Sequence, residues 1–392
     1  MKRSDLTRRA FLQKSAIGAS ALAVGLGSRA HAAEKKDEVA IGFIGVGGRG
    51  STHVQKYSRT DGVRIAAVCD LKTDRVAKAQ ATIEKAKGYQ PKGYTDLNEM
   101  LDKEKLDGVI VATEVGNHAK AAIPVLERNI NCFCEKPLET TVERMDALVK
   151  AARKSKAICQ IGFQRHYNDG YVKAVEKIHS GDLGKVAFLQ GQWHWTWQIG
   201  GGWVCDMDLG GGELVEQAGH HMDVMAWVMN YEHPLECVAM ANICRDLPAD
   251  SKPTSEDHSA VVFRFPGNAI FSYTHLFYCP QPFEAEKMLV YGRGWGIDLV
   301  KSQLYTPPPD GKVVNLGEDS GQDWGKGTNE ELDAFVENIR NGGKEKPKSN
   351  IETARIATLM CVMGRKAFRD VTSNKFESKI VKWEDLGTTT DI

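Results

Sequence analysis

Apolar positions follow two different patterns along the chain. Residues 39–45 form a β-branched and aromatic run that ends in glycines, which predicts a strand and a turn. Residues 48–58 then read as a helix, 63–70 as a second strand, and the Ala- and Lys-rich stretch 73–87 as a helix. The near-continuous apolar run 106–113 predicts a strand covered on both faces. A helix over 118–128, a strand over 131–135, a helix over 141–156 and a strand over 157–163 complete the alternation. Strands alternating with helices predict an α/β Rossmann-type domain, a parallel doubly wound sheet.

The pattern changes after Gly162. A helix is expected over 169–180, then a long strand over 186–197 with Trp193, Trp195 and Trp197 on one face and His194 on the other. Residues 213–229 read as one helix. Strands follow at 236–244, 259–265, 269–278 and 287–291, with Pro266-Gly267-Asn268 as a turn. Such a run of strands predicts an α+β domain built on an open, largely antiparallel sheet. Helices over 329–341 and 351–368 end the pattern. The expected domains are 33–162 and 163–392, with the last helices free to return to the first domain.

Residues 1–32 read as neither. Lys2, Arg3, Arg8, Arg9 and Lys14 make a basic start, an apolar small-residue run covers 16–27, and Ala30-His31-Ala32 offers small residues around a cleavage point. This predicts a cleavable export signal whose apolar run is too short to span a bilayer. Thr7-Arg8-Arg9-Ala10-Phe11-Leu12-Gln13 narrows it to a twin-arginine signal, with an ordinary secretory signal as the alternative. The expected location is the periplasm, reached already folded. Of 51 basic and 51 acidic residues, the first 32 hold six Lys/Arg and one Asp, so the remainder carries 45 and 50, net −5. That charge argues against nucleic acid or an anionic membrane as partner. No later run is long enough for a stable membrane insertion. The nine cysteines contain no C-x-x-C pair, so no metal site, redox dithiol or disulfide is expected. Cys69, Cys132 and Cys134 read as small buried apolar residues.

Gly45-Val46-Gly47-Gly48-Arg49-Gly50 is a G-x-G-x-x-G that follows a predicted strand and opens a predicted helix. Gly45 allows the tight turn, Gly47 admits a pyrophosphate to the backbone, and Gly50 lets helix pack on strand. The N–H groups at the start of the helix suit phosphate oxygens. Asp70 ends the next strand, where it can accept ribose hydroxyls and repel a 2′-phosphate, which favours NAD. NADP stays an alternative because Arg49 and Arg75 could reach that phosphate. Glu135-Lys136-Pro137 follows a strand at its carboxyl end, where such sheets place ligands, although Lys-Pro pairs are common in loops. Glu216, His220 and Asp223 share one face of the predicted helix. They are either an acid–base set or a solvated face with a core histidine.

Together these motifs resemble the glucose–fructose oxidoreductase / inositol dehydrogenase (Gfo/Idh/MocA) family, over nearly all of the chain after the signal. The carriers are Gly45–Gly50, Asp70, the strand before Asn117-His118, Glu135-Lys136-Pro137, and the run from Gly210 to Asp223, which is similar to G-G-G-x-L-x-D-x-G-x-H-x-x-D. The resemblance implies a Rossmann domain followed by an open sheet that often forms the subunit interface, hence a homodimer or homotetramer. It implies cofactor contacts from Thr113, Asn117, His118, Glu135 and Lys136, besides Gly45, Gly47, Gly48, Arg49, Gly50, Asp70 and Arg75. It places Lys136 and His220 at the reacting carbinol. Glu216 stands where the family has aspartate, and Glu114 where it has proline. The expected activity is NAD(P)-dependent oxidation of a secondary hydroxyl of a sugar or glycoside. In this scheme His220 takes the proton, Lys136 polarises the oxygen and Glu216 orients His220. Alternatives are redox-neutral glycoside hydrolysis with bound NAD, and a non-catalytic exported sugar-binding protein. Export implies a tightly held, internally recycled cofactor. Arg165, His166, Tyr167, His194, Trp197 and Asp223 are candidate substrate ligands, the tryptophan being equally readable as core or interface.

Overall fold

The computed structural model describes residues 37–390, apart from 197–200, 249–250, 282, 284, 310, 322 and 324. The export signal expected over 1–32 and Trp197 lie outside the described residues.

The first half alternates β1 (Val39–Ile44), α1 (Gly48–Tyr57), β2 (Val63–Cys69), α2 (Thr73–Lys87), β3 (Lys92–Tyr94), α3 (Leu97–Lys103), β4 (Gly108–Val111), α4 (His118–Glu127), β5 (Asn131–Cys134), α5 (Val142–Lys154) and β6 (Cys159–Ile161). Among the described residues these strands form a six-stranded parallel sheet in the order β3-β2-β1-β4-β5-β6. β1, β4 and β6 are buried at every residue, as a sheet covered on both faces requires. The parallel Rossmann sheet expected from the sequence is therefore present. β3 and α3 were not anticipated. Lys92-Gly93-Tyr94 has no apolar run and is held by pairing with β2, and α3 is short and capped by Asp96, which accepts from Glu99 N at 2.9 Å.

The second half contains α6 (Asp169–His179), β7 (Val186–His194), α7 (Glu213–Glu216), α8 (Gly219–Val228), β8 (Glu236–Asn242), β9 (His258–Arg264), β10 (Ile270–Leu276), β11 (Ala285–Gly292), β12 (Trp295–Asp298), β13 (Gln303–Tyr305), β14 (Val313–Asn315), α9 (Thr328–Arg340), α10 (Ile351–Lys366) and β15 (Ile380–Lys382). Among the described residues its sheet has nine strands, in the order β14-β13-β12-β11-β7-β10-β9-β8-β15. β7 and β10 pair in parallel; the other neighbours are antiparallel. Burial alternates along β9 and β10, so one face is covered and the other open. Leu214, Met222 and Met225 cover that face together with Ala357, Met360 and Met363 of α10. α9 instead returns to the first sheet. Leu332, Phe335 and Ile339 share a cluster with Phe43 and Phe133, and Tyr57 Oη donates to Leu332 O at 2.9 Å.

Two expected elements differ. The strand over 186–197 stops at His194. The single helix over 213–229 is two helices. At the break the N–H groups of Gln217 and Ala218 both reach Glu213 O (2.8 and 3.3 Å), so the ladder slips just before Gly219. No described helix is long and apolar enough to cross a membrane.

Candidate active site

The glycine loop sits between β1 and α1. Gly45 has φ +84°, a left-handed conformation that glycine adopts without strain. A Cβ on Gly50 would lie 2.0 Å from Gly45 O, so only glycine lets α1 approach the strand this closely. No side chain caps α1 at Gly47, which leaves its first N–H groups open to an anion. The loop borders a cavity of about 400 Å³. Of the expected cofactor residues, Gly45, Gly47, Gly48, Arg49, Asp70, Arg75, Thr113 and Asn117 line it together. Asp70 is anchored there: its Oδ2 accepts from Val46 N at 3.0 Å and its Oδ1 from Lys72 N at 3.0 Å. Each oxygen keeps a second lone pair for a ribose hydroxyl. Arg75 Nη1 stands 3.7 Å from Asp70 Oδ2. Glu114 lies in the same wall, accepting from Asn117 Nδ2 at 3.3 Å.

His118 and Glu135 support the site from outside the cavity. The buried His118 ring lies 2.7 Å from Pro137 O and 3.3 Å from Thr113 O, bracing the ends of β4 and β5. Burial keeps its imidazole below the ordinary histidine range. Glu135 Oε1 accepts from Arg49 Nε at 2.7 Å and meets His53 Nε2 at 2.6 Å. Burial opposes its charge, but Arg49 and His53 overcome this and hold the carboxyl well below the usual range.

Lys136 follows β5 at the sheet edge on which the cavity opens. Its Nζ donates to Glu216 O at 2.7 Å and to Glu216 Oε1 at 3.2 Å, and both side chains are nearly buried. Gly219 brings α8 against the same turn, a Cβ there lying 3.7 Å from Pro137 Cβ. His220 therefore sits beside Lys136, between the rings of Phe163 (6.1 Å) and Trp193 (6.3 Å). Its Nδ1 is buried without a hydrogen-bond partner. Burial, then the charges of Lys136, Arg165 and Arg49, pull the imidazole well below its usual value, so it is neutral at pH 7. Glu216 was expected to orient His220. The carboxylate is instead taken up by Lys136 and Gln217, and it stands on α7 while His220 stands on α8.

The expected substrate ligands are less accessible than the sequence suggested. Arg165 is buried and paired with Glu286, and His166 Nε2 bonds Asp223 Oδ2 at 2.9 Å while its ring lies 4.3 Å from that of Trp227, tilted by 31°. Arg165, His166 and Asp223 are thus buried in polar pairs rather than presented on a free cleft surface. His194 Nε2 bonds Thr274 Oγ1 at 3.1 Å, and Tyr167 has Lys348 over its ring. Trp203, from the segment leading into Gly210, lines the dinucleotide cavity. No periodicity marked it, because it lies in a one-turn helix between glycine-rich loops. No described group of three or more His, Cys, Asp or Glu side chains is arranged to hold a metal.

Two family models match this architecture. Residues 39–163 match "Oxidoreductase family, NAD-binding Rossmann fold", and residues 171–295 match the "GFO/IDH/MocA C-terminal domain". The chain belongs to the GFO/IDH/MocA oxidoreductase family. Within that family it is 31% identical over 194 residues to inositol 2-dehydrogenase of Salmonella typhimurium, a match covering 49% of this chain and 55% of that protein. The chain thus spans about half the length of that relative. It is 33% identical over 158 residues to a glycosyl hydrolase family 109 protein of Shewanella putrefaciens, covering 39% of this chain and 34% of the other. Levoglucosan dehydrogenase in complex with NADH and levoglucosan shares the fold, with TM-score 0.70 at 17% identity over 84% of this chain and 96% of that one.

Proposed function

We propose that the protein is an NAD-dependent oxidoreductase that oxidises a secondary hydroxyl of a sugar or glycoside. The observation that carries this is the adjacency of Lys136 and a neutral, half-buried His220 at the sheet edge where the Asp70 cavity opens. The cavity fits NAD: an uncapped helix start faces the phosphate position, and Asp70 presents a fixed carboxylate to a ribose. Gly45, Gly47, Gly48, Asp70, Thr113 and Asn117 would hold it. A 2′-phosphate would meet Asp70, and Arg75 is already drawn to that carboxylate, so NADP is disfavoured. Bound there, NAD supplies a hydride acceptor.

The chain's own residues do the rest. The Lys136 ammonium holds the substrate oxygen and favours negative charge developing on it. His220, being neutral, can accept the hydroxyl proton. Glu216 fixes Lys136 through two hydrogen bonds. The similarity to inositol 2-dehydrogenase and to a levoglucosan-binding dehydrogenase supports a cyclic polyol or sugar as substrate. The similarity to a glycosyl hydrolase family 109 protein supports a second reading, redox-neutral glycoside cleavage on the same site. A panel of polyols, sugars and nitrophenyl glycosides, read for both NAD reduction and bond cleavage, separates the two. Neither signal with any member would sink the proposal.

The reading extends to export by the twin-arginine route, supported by Arg8-Arg9 and the apolar run after them, with NAD retained and recycled in place. Dinucleotide released on denaturing the purified protein is the expected sign. It also extends to a homo-oligomer. The open face of the nine-stranded sheet exposes Phe188, Met240, Val262, Ile270 and Tyr291, a surface suited to a second copy and testable by light scattering.

A further inference from the structure

Where α9 meets the glycine loop, four titratable side chains are packed together. Arg49 Nε lies 2.7 Å from Glu135 Oε1, and His53 Nε2 lies 2.6 Å from the same oxygen. Arg49 Nη2 reaches Thr328 Oγ1 at 3.3 Å and Glu331 Oε1 at 3.6 Å, both in the first turn of α9. Glu331 is fully buried, and neither carboxyl oxygen has a hydrogen-bond partner. A bare buried carboxylate is costly, so a group kept in this position needs a reason beyond packing. The cluster touches the site at two points. Arg49 lines the dinucleotide cavity, and Glu135 directly precedes Lys136.

We propose that Glu331 is a positioning residue for the dinucleotide site: from α9 it fixes the Arg49 guanidinium, and through Arg49 and Glu135 it holds the glycine loop and the Lys136 turn in one arrangement. The proposal rests on the dinucleotide reading above. Arg49 is held from two sides, by α9 and by the residue before Lys136. Removing Glu331 leaves the guanidinium on Glu135 and the Thr328 hydroxyl, without its charged partner on α9. The proton on Glu331 matters too. Burial, then Glu135, push its carboxyl well above the usual range, against the pull of Arg49. Once ionised, it would compete with Glu135 for Arg49 and add negative charge beside a cavity built for a diphosphate. The charged and titratable groups facing it are Arg49 and His53 on α1, Glu135 after β5, Glu330 on α9, Asp223 on α8 and Tyr167.

The test is calorimetric titration of NAD into the full-length protein and its Glu331→Ala and Glu331→Gln variants, at neutral pH and across a pH series on either side of it. At neutral pH, Glu331→Ala weakens NAD binding by roughly tenfold, the scale of losing the one charged contact that Arg49 makes to α9. Glu331→Gln, which keeps the size and polarity of the side chain at every pH, stays within about twofold of the parent by the same arithmetic. As pH rises through the Glu331 titration the parent loses affinity and Glu331→Gln does not. Parent-like binding by Glu331→Ala, or the same pH response in the parent and Glu331→Gln, overturns the proposal. If Glu331→Ala does not fold, the pH comparison with Glu331→Gln still decides. A parent protein that binds no NAD at any pH overturns the dinucleotide reading itself, a separate outcome.

Discussion

Replacing Gly50 by alanine puts a single methyl group where the structure has no room for it. The added Cβ would lie 2.0 Å from Gly45 O and 2.9 Å from Gly45 C, both backbone atoms, which cannot rotate away. Real Cβ contacts are essentially never shorter than 3.0 Å, so the Gly45 carbonyl or the start of α1 must move by about 1 Å. Overpacking of this kind costs roughly 1–3 kcal/mol of stability. The same displacement takes N–H groups of the loop out of range of a phosphate. Losing one charge-assisted hydrogen bond is worth about 1.5–3 kcal/mol, so Kd for NAD should rise roughly 10- to 100-fold. Calorimetry gives Kd, and a thermal melt gives the stability change. At Gly48 an added Cβ meets nothing within 4 Å, so Gly48→Ala should melt like the parent. If Gly50→Ala binds NAD with unchanged Kd, the loop does not hold the pyrophosphate and the reasoning fails.

Lys136→Ala should leave the Kd for NAD nearly unchanged, because Lys136 does not line the cavity, while kcat falls roughly 10²- to 10³-fold, as for loss of one oxyanion donor. Steady-state rates on the responding substrate check this, and a rate within a factor of a few of the parent would remove Lys136 from the chemistry. Asp70→Ala should weaken NAD and narrow its preference over NADP, read from paired titrations; an unchanged ratio would contradict the ribose assignment. His53, His118, His220 and His221 all sit below the ordinary value of 6.5 in the folded protein, chiefly through burial. The unfolded chain then takes up more protons as pH falls below 6.5, so stability present above that pH is lost on acidification. The acid limb of the oxidation rate should likewise lie below 6.5, since His220 stays a free base there. A melting temperature flat across that range, or an acid limb above it, would show that burial does not set these groups.

The two sheets were legible because their patterns are strong. β1, β4 and β5 are apolar runs bounded by glycine or charge, and period-2 burial along β9 and β10 matches the sequence alternation. β3 and β12–β15 were not legible. Each is three or four residues long and depends on a neighbouring strand rather than on its own composition. The cofactor wall was legible because each of its motifs carries a local backbone requirement. Side-chain pairing across the chain was not. Lys136 with Glu216, Arg165 with Glu286 and Arg49 with Glu331 are 80 or more residues apart, and no spacing rule links them. This is why Arg165 and His166 read as open ligands but are enclosed, and why the α9 contribution to the glycine loop went unseen.

The central claim is that a carbinol hydrogen passes between a sugar and a dinucleotide held by the Gly45–Gly50 loop. The most direct measurement is mass spectrometry of the dinucleotide recovered after incubating the protein and NAD with polyols and sugars deuterated at their carbinol carbons. Deuterium should appear in the nicotinamide with at least one member of the panel if the net reaction is oxidation; in redox-neutral cleavage the same deuteride returns to the sugar, and a cleaved product that keeps its deuterium is the expected sign. Bound dinucleotide that never acquires deuterium, with every sugar returned unchanged, would contradict the account.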